Sequence, residues 1–358
     1  MPLMNAHASG LHLASAGSFP RTGDTAELQL LQRTIAALEL GDRTTADLLD
    51  AENEMTRRAI ADQVKAGLEV ITDGQIRWYD SLSHVAGKLD NVKLKDKAQF
   101  FNTIFHFRQP VFSGKPGRSG NLVANEYSFA RNALGHTPTP TNKGGKLSMK
   151  PVLPGPYTLA KFSRVEQSQN GSAREFDSLE ARALAYAEAL AAEIEVLSKM
   201  GAEVIQIDEP AAVIEPQDWA VLEKAIAFLA QARDRARGEG QKVELALYVY
   251  FQDCAPVYEK LLGLPVDVVG LDFTYNPKLV DVVSSAGSPK PLALGLVDAQ
   301  NAHLEDPALI ARQIERLLPK ISGGRAYLGP SSGLEPLERS AAIAKLELLG
   351  SIRDLVNG

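Results

Sequence analysis

The feature that most restricts this chain is an alternation that runs from about residue 146 to its last helix. Short apolar runs, each suited to a buried strand, take turns with longer stretches of helical periodicity. The runs are "KLSMKPVL", "GAEVIQIDEP", "VELALYVYF", "VDVVGLDF", "PLALGLVD" and "GRAYLGPSSG". Between and after them the spacing predicts helices over 173–200, 217–235, 254–262, 277–285, 306–319 and 335–356. Strands that alternate with helices form parallel sheets, because each helix carries the chain back to the start of the next strand. Upstream, residues 10–16 read as a weak strand ending in the turn Gly17-Ser18-Phe19-Pro20-Arg21. Helices follow from Ala26 to Leu40 and, after "DRTTADLLD", to about Ala66, and "GLEVITDGQ" reads as the next strand.

Residues 98–145 carry the weakest pattern, read as a strand at "QFFNTIFHF", a Gly/Ser/Pro-rich turn over 113–121, and a polar turn at "PTPTNKGGK". Seven clear strands and one doubtful one predict an α/β chain forming a (β/α)8 TIM barrel, a single domain over residues 1–358. An open doubly wound sheet is the alternative. No glycine-rich phosphate fingerprint follows the first strand, which weighs against dinucleotide binding.

Composition narrows the partners. A net charge of −6 over 358 residues disfavours non-specific binding to nucleic acid, which needs a basic surface. The single cysteine, Cys254, excludes an intrachain disulfide and fits a reducing cytosol. No apolar run approaches the roughly 20 residues of a membrane span. The start, "MPLMNAHASGLHLASAG", lacks a basic lead and a sustained apolar stretch, so no signal peptide is expected. The expectation is a cytoplasmic protein acting on a small molecule, with no nucleic-acid or membrane partner.

In a barrel, chemistry gathers where strands end. Those positions hold Ser18, Asp73, Gln75, Arg77, Gly155, Asp208, Glu209, Asp272, Asp298, Gln300 and Ser332. Acids after strands often cap the next helix, but several at one mouth also suit a cationic or polar ligand. Asp208-Glu209-Pro210 is the sharpest case, since Pro210 biases Glu209 toward extended backbone and stiffens the turn. Pro154-Gly155-Pro156 reads either as a plain turn or as a bare surface for a flat ligand. His84 and His106 are read as core residues and Cys254 as packing; Trp78 and Tyr79 could stack on a ring or seal the rim.

These segments resemble a known family. "GSFPRT", "DGQIRWYD", "KPVLPGPYTLAKF", "IQIDEPA", "GLVDAQN" and "GPSSGLEPL" occur in the order seen in the cobalamin-independent methionine synthase superfamily, whose fold is a (β/α)8 barrel. The resemblance implies transfer of a methyl group from a methylated folate to homocysteine sulfur held as a zinc thiolate. It implies that Ser18 holds an amino acid's carboxylate, that Asp208 binds its ammonium, and that Gln75 and Asp272 stand where the family has glutamates. It also implies metal ligands that are not matched. The family's His-x-Cys falls on Leu247 and Val249, or on Tyr248 and Tyr250 in the shifted alignment. Ser332 or Ser331 replaces the last cysteine, and Gln300 replaces a catalytic histidine.

The expected function is therefore a methionine-synthase-like methyltransferase acting on homocysteine or a related thiol or amino-acid acceptor. Its donor is of the methylated folate type, with room for a partner protein that supplies the methyl group. Zinc is expected from the family, yet no ligand is assigned. Asp208 and Asp298 are the catalytic candidates; Ser18, Gln75, Arg77, Glu209, Asp272, Gly155 and Ser332 are the substrate-binding ones. The alternative is a non-catalytic folate- or amino-acid-binding barrel like the family's zinc-free N-terminal domain.

Overall fold

A computed structural model describes residues 10–101, 103, 106–138, 146–166 and 173–358. Most of the expected turn at "PTPTNKGGK" and the first nine residues of the expected leaderless start lie outside them.

In chain order the first elements are β1 (Leu11–Leu13), α1 (Leu30–Glu39), α2 (Thr45–Ala66), β2 (Val70–Ile71) and α3 (Ser83–Ala86). Then come β3 (Asp90–Gln99), β4 (His106–Gly117), α4 (Ala124–Gly135), β5 (Ser148–Met149), β6 (Val152–Pro154), α5 (Pro156–Phe162) and β7 (Arg164–Val165). The regular half follows as α6 (Leu179–Lys199), β8 (Val204–Asp208), α7 (Trp219–Gly238), β9 (Glu244–Val249) and α8 (Tyr258–Gly263). It ends with β10 (Val268–Asp272), α9 (Leu279–Ala286), β11 (Leu292–Val297), α10 (Pro307–Leu317), β12 (Ala326–Pro330) and α11 (Arg339–Asn357). Counting β1, β2, β6 and β8 to β12, eight strands are each followed by helix, the repeat of an α/β barrel.

The chain divides into two compact units. The first is Met1–Arg77, Phe129–Met149 and Gly270–Gly358. In it β12 lies between β1 and β11, both parallel to it, and Ala14 bridges to Val70 so that β2 and β5 extend the ladder. Leu13, Ile71, Leu294 and Leu328 are fully shielded in its core. α2 begins on a capping box, in which the Thr44 hydroxyl accepts from the Asp47 amide and the Asp47 carboxylate accepts from Thr44. It ends on left-handed Gly67.

The second unit is Trp78–Ser128 and Lys150–Val269. Here β8 lies between β6 and β9, in parallel register that sets Asp208 beside Pro154 on one side and Tyr248 on the other. A separate ribbon pairs β3 antiparallel with β4, and β7 parallel with β4.

Two expectations over the irregular stretch need correction, and one helix there was not foreseen. "QFFNTIFHF" is not one strand: β3 stops at Gln99, and Phe101 takes a left-handed φ of 53° in the turn before β4. The turn placed at 113–121 is strand as far as Gly117. Helix α4 was not expected at all. Its first amides, from Val123 and Ala124, donate to the buried carboxylate of Glu193 on α6, so its start signal lies 70 residues away.

Candidate functional site

Among the described residues, the second unit carries a group of buried polar side chains that includes Lys150, Thr158, Gln206, Asp208 and Glu209. Strand β8 ends in Asp208 and Glu209, and these neighbours have different work. Glu209 is fully buried and accepts from the amides of Tyr157 and Thr158 at 2.9 and 2.8 Å and from the Thr158 hydroxyl at 2.6 Å. It is the missing cap of α5, whose own N-cap position, Gly155, has no side chain to offer. Gly155 must stay bare for the same reason: a Cβ there would lie 2.0 Å from Glu209 Cδ. The Pro-Gly-Pro segment, read from sequence as a turn or a ligand face, is thus a helix start, with Pro156 at the first position. Burial raises the Glu209 carboxyl to about 7, against the pull of its three donors.

Asp208 is buried too, though at 8% exposure less completely than Glu209. Gln206 Nε2 donates to one of its oxygens at 2.6 Å and the Tyr250 hydroxyl to the other at 3.2 Å. Each carboxylate oxygen therefore keeps room for a further donor. Burial raises Asp208 to about 7, opposed by Gln206, the Lys150 charge and Tyr250. Lys150, just before β6, is also buried; its Nζ lies 3.2 Å from the Tyr248 hydroxyl and 4.5 Å from that ring's centre. Burial lowers its ammonium to about 7, with Asp208 pulling the other way.

An aromatic wall stands next to this group. Phe251, left-handed at φ 66°, meets Tyr250 edge-on at 4.7 Å. Phe100 and Phe101 lie 6.4 and 6.0 Å from Phe251, and both pack on Phe162. A bulky residue with positive φ is strained backbone, held only where its surroundings over-determine it.

Trp78, left open between stacking on a ligand and sealing the rim, stacks on His84 at 4.9 Å and donates to Glu126 at 3.1 Å. His84 also meets Glu126, at 2.8 Å, and the Lys88 ammonium lies 2.6 Å from the same carboxylate oxygen. Burial pushes the Glu126 carboxyl up, but His84 and Lys88 outweigh it and hold it at about 2.

The first unit holds the other candidates. Ser18 sits in the turn after β1, where its carbonyl accepts from the Leu334 amide at 2.8 Å. A Cβ on Gly333 would lie 2.0 Å from Ser18 Oγ, so the loop after β12 closes against this serine. Ser332, in that loop, is buried with no hydrogen-bond partner for its hydroxyl. Gln75 is buried and left-handed at φ 51°, its amide bound to the Asp73 carboxylate at 2.9 Å. Arg77 packs on the Phe129 ring and donates to Asn53 at 2.6 Å, leaving Nη1 buried without a hydrogen-bond partner.

Both Asp298 oxygens are used inside its own turn, by the Gln300 amide and the Asn301 side chain. The Asp298 amide donates to Glu305, which the fully buried Lys345 of α11 grips at 2.9 Å. Asp272 is buried and accepts from the Thr274 amide and hydroxyl at 2.9 and 2.6 Å.

The positions that would bind a metal do not suit one. On β9 and just beyond, Tyr248 and Tyr250 are spent on Lys150 and Asp208, while Leu247 and Val249 are buried hydrocarbon. Ser331 donates no thiolate either; its hydroxyl accepts from the Ala299 amide. Zinc needs imidazole, thiolate or several carboxylates, and among the described residues no three of His, Cys, Asp and Glu converge.

Sequence reasoning overlooked Lys150, Gln206 and the pairing roles of Tyr248 and Tyr250. One signal was available: a lysine and a glutamine inside otherwise apolar strand runs, which burial permits only with partners.

Residues 11–353 match the family model described as "Cobalamin-independent synthase, Catalytic domain". A methionine synthase of Saccharolobus islandicus (strain L.S.2.15 / Lassen #1) is 26% identical over 331 residues, 92% of this chain and 90% of that protein. One of Methanothermobacter marburgensis is 28% identical over 298 residues, covering 83% and 87%. Among solved structures, a B12-independent methionine synthase from Shewanella sp. W3-18-1, in complex with selenomethionine, superposes with a TM-score of 0.72 at 19% identity. The match covers 96% of this chain and 97% of that one, and shows a common TIM-barrel-like fold.

Proposed function

The chain belongs to the cobalamin-independent synthase family, and from that premise we propose what this methionine-synthase-like methyltransferase acts on. The acceptor is the sulfur of homocysteine or a closely related amino-acid thiol. The donor is a methylated folate-type compound. Asp208, in the second unit, receives the acceptor's ammonium group, and Ser18, at the β1 turn of the first unit, stays a candidate for binding a carboxylate. Gln75, Arg77, Asp272, Asp298 and Ser332 are binding candidates of the first unit, and we propose that residues 1–358 form a single barrel domain.

The observation that supports this most is Asp208 itself. It is a carboxylate at a strand end, rigidly set by the Glu209–α5 cap beside it, with one donor per oxygen and capacity left on each. A charge-assisted bond to a ligand ammonium there contributes about 1.5–3 kcal/mol. The methionine synthase of Shewanella is described with selenomethionine bound, which makes methionine the natural probe for this chain.

Zinc, which the family uses to hold its thiolate, does not fit the residues at the corresponding positions, Leu247, Tyr248, Val249, Tyr250 and Ser332. Glu209 holds α5, Gln206 and Tyr250 orient Asp208, and Asp208 orients the acceptor. The test is methionine formation from homocysteine and a methylated folate, followed by mass spectrometry, for the wild type and Asp208→Asn. Activity that survives Asp208→Asn unchanged overturns the role of Asp208.

A further inference from the structure

We propose that Gln75 and Ser332 join Ser18 in an uncharged cradle for a ligand's carboxylate. This rests on the amino-acid reading above and gives the acidic end of that ligand to the first unit.

Three loops of that unit are bonded to one another. In the β1 turn the Phe19 amide donates to the Gly74 carbonyl at 2.9 Å, and the Gly17 carbonyl accepts from the Thr72 hydroxyl at 2.6 Å. From the loop after β12, the Leu334 amide donates to the Ser18 carbonyl at 2.8 Å. Gly333 lies so close that a Cβ on it would meet Ser18 Oγ. Each loop brings one uncharged polar side chain: Ser18, Gln75 and Ser332.

Two of the three are held at a cost to the fold. Gln75 is buried and left-handed at φ 51°, a strain that folded chains keep where a site requires it. Its backbone amide donates to Asp73 at 2.9 Å, but no described residue engages its carboxamide. Ser332 is 1% exposed and its hydroxyl has no hydrogen-bond partner, which costs stability until a ligand supplies one. Ser331 beside it shows the contrast, since its hydroxyl accepts from the Ala299 amide.

The charges tied to these loops favour an anion over a cation. Asp73 accepts from the Gln75 amide, and Asp62 is gripped by Arg339, which also donates to the Pro20 carbonyl at 3.1 Å. Arg21 Nε donates to the Ile76 carbonyl at 2.8 Å. Arg77 lies 3.9 Å from Glu52 and donates to Asn53, yet its Nη1 stays buried without a hydrogen-bond partner. The acids are engaged, while the unspent N–H groups belong to a guanidinium and a carboxamide. A carboxylate accepts from such donors and from hydroxyls through two oxygens; an ammonium, which only donates, would meet neutral oxygens alone.

Gln75 and Ser332 are thus specificity residues. The Gln75 carboxamide N–H and the two hydroxyls donate to the carboxylate, and Ser332 gains the partner that the fold does not give it.

The test is calorimetric titration of the intact protein with three probes. These are L-methionine, its methyl ester, which lacks the carboxylate, and its des-amino analogue, which lacks the amine. The wild type binds the ester at least about tenfold more weakly than methionine. Gln75→Glu, of the same shape with a negative charge added, binds methionine and the des-amino analogue at least about tenfold more weakly and leaves the ester unchanged. Ser332→Ala weakens the same two probes, spares the ester and melts no lower than the wild type, because its hydroxyl has no partner to lose. If Gln75→Glu does not fold, Gln75→Met removes the donor at similar length and is read in the same way. Gln75 variants that weaken all three probes alike, or none, overturn the cradle and leave the amino-acid reading standing. Methionine that does not bind, beside a des-amino analogue that binds through Gln75, overturns the amino-acid reading and leaves the cradle. Failure of all three probes to bind the wild type overturns both.

Discussion

Gly155 and Glu209 interlock: the glycine's missing side chain is the space that the Glu209 carboxylate fills, and that carboxylate caps the helix the glycine begins. Two prolines flank the glycine and one follows the glutamate, so the end of β8 and the start of α5 are set as one piece. Asp208 stands on that piece.

Gly155→Ala should therefore destabilise the fold by about 1–3 kcal/mol, the usual cost of overpacking a tight site. Glu209→Gln keeps one acceptor and loses the other, at a cost of about 1–2 kcal/mol as for other helix caps. Chemical denaturation measures both. If both variants match the wild type, the cap is not what holds α5.

The buried group makes stability depend on pH in two opposed limbs. Asp208 and Glu209 have folded values raised to about 7, so their favourable contribution is complete below their unfolded values and is lost as pH rises toward 7. Lys150 is lowered to about 7, so its contribution is complete above 10.5 and is lost as pH falls toward 7. The cluster therefore contributes least near neutrality. Thermal melts of Asp208→Asn should flatten the acid limb, and those of Lys150→Met the alkaline one.

How much of this was legible beforehand depends on where each signal lay in the chain. The regular half was readable because strands such as Leu292–Val297 are unbroken apolar runs between amphipathic helices. The place of Asp208 at the end of β8 was readable because an acid and a proline directly end such a run. The helices α4 and α5 were not, because their caps, Glu193 and Glu209, come from other elements far along the chain. Strand β3 was missed because its alternation is lysine against Val92 and Leu94, which resembles a solvated surface when its partner strand is unseen. Lys150 looked like an ordinary charged residue until the fold buried it beside Tyr248.

Glu126 gives a separate acid-range prediction. Held at about 2 by His84 and Lys88 despite its burial, it contributes stability that is complete above pH 4.5 and lost as pH falls toward 2. Glu126→Gln leaves the Lys88 ammonium and the Trp78 indole with a poorer acceptor. It should cost about 1–3 kcal/mol at pH 7 and less at pH 3. An equal loss at both pH values would contradict the assignment.

Tyr250→Phe removes one of the two described donors to Asp208 while keeping the ring against Phe251. The account predicts an intact fold by circular dichroism and a binding profile for L-methionine displaced to higher pH, because Asp208 ionises less readily. An unshifted profile would mean that Tyr250 does not tune the acid.

The most direct measurement supplies homocysteine and a methylfolate carrying an isotopically labelled methyl group, and follows the label by mass spectrometry. The account predicts labelled methionine from the wild type and a loss of roughly ten- to a hundred-fold in Asp208→Asn. Absence of label in any thiol product, or full transfer by Asp208→Asn, would contradict it.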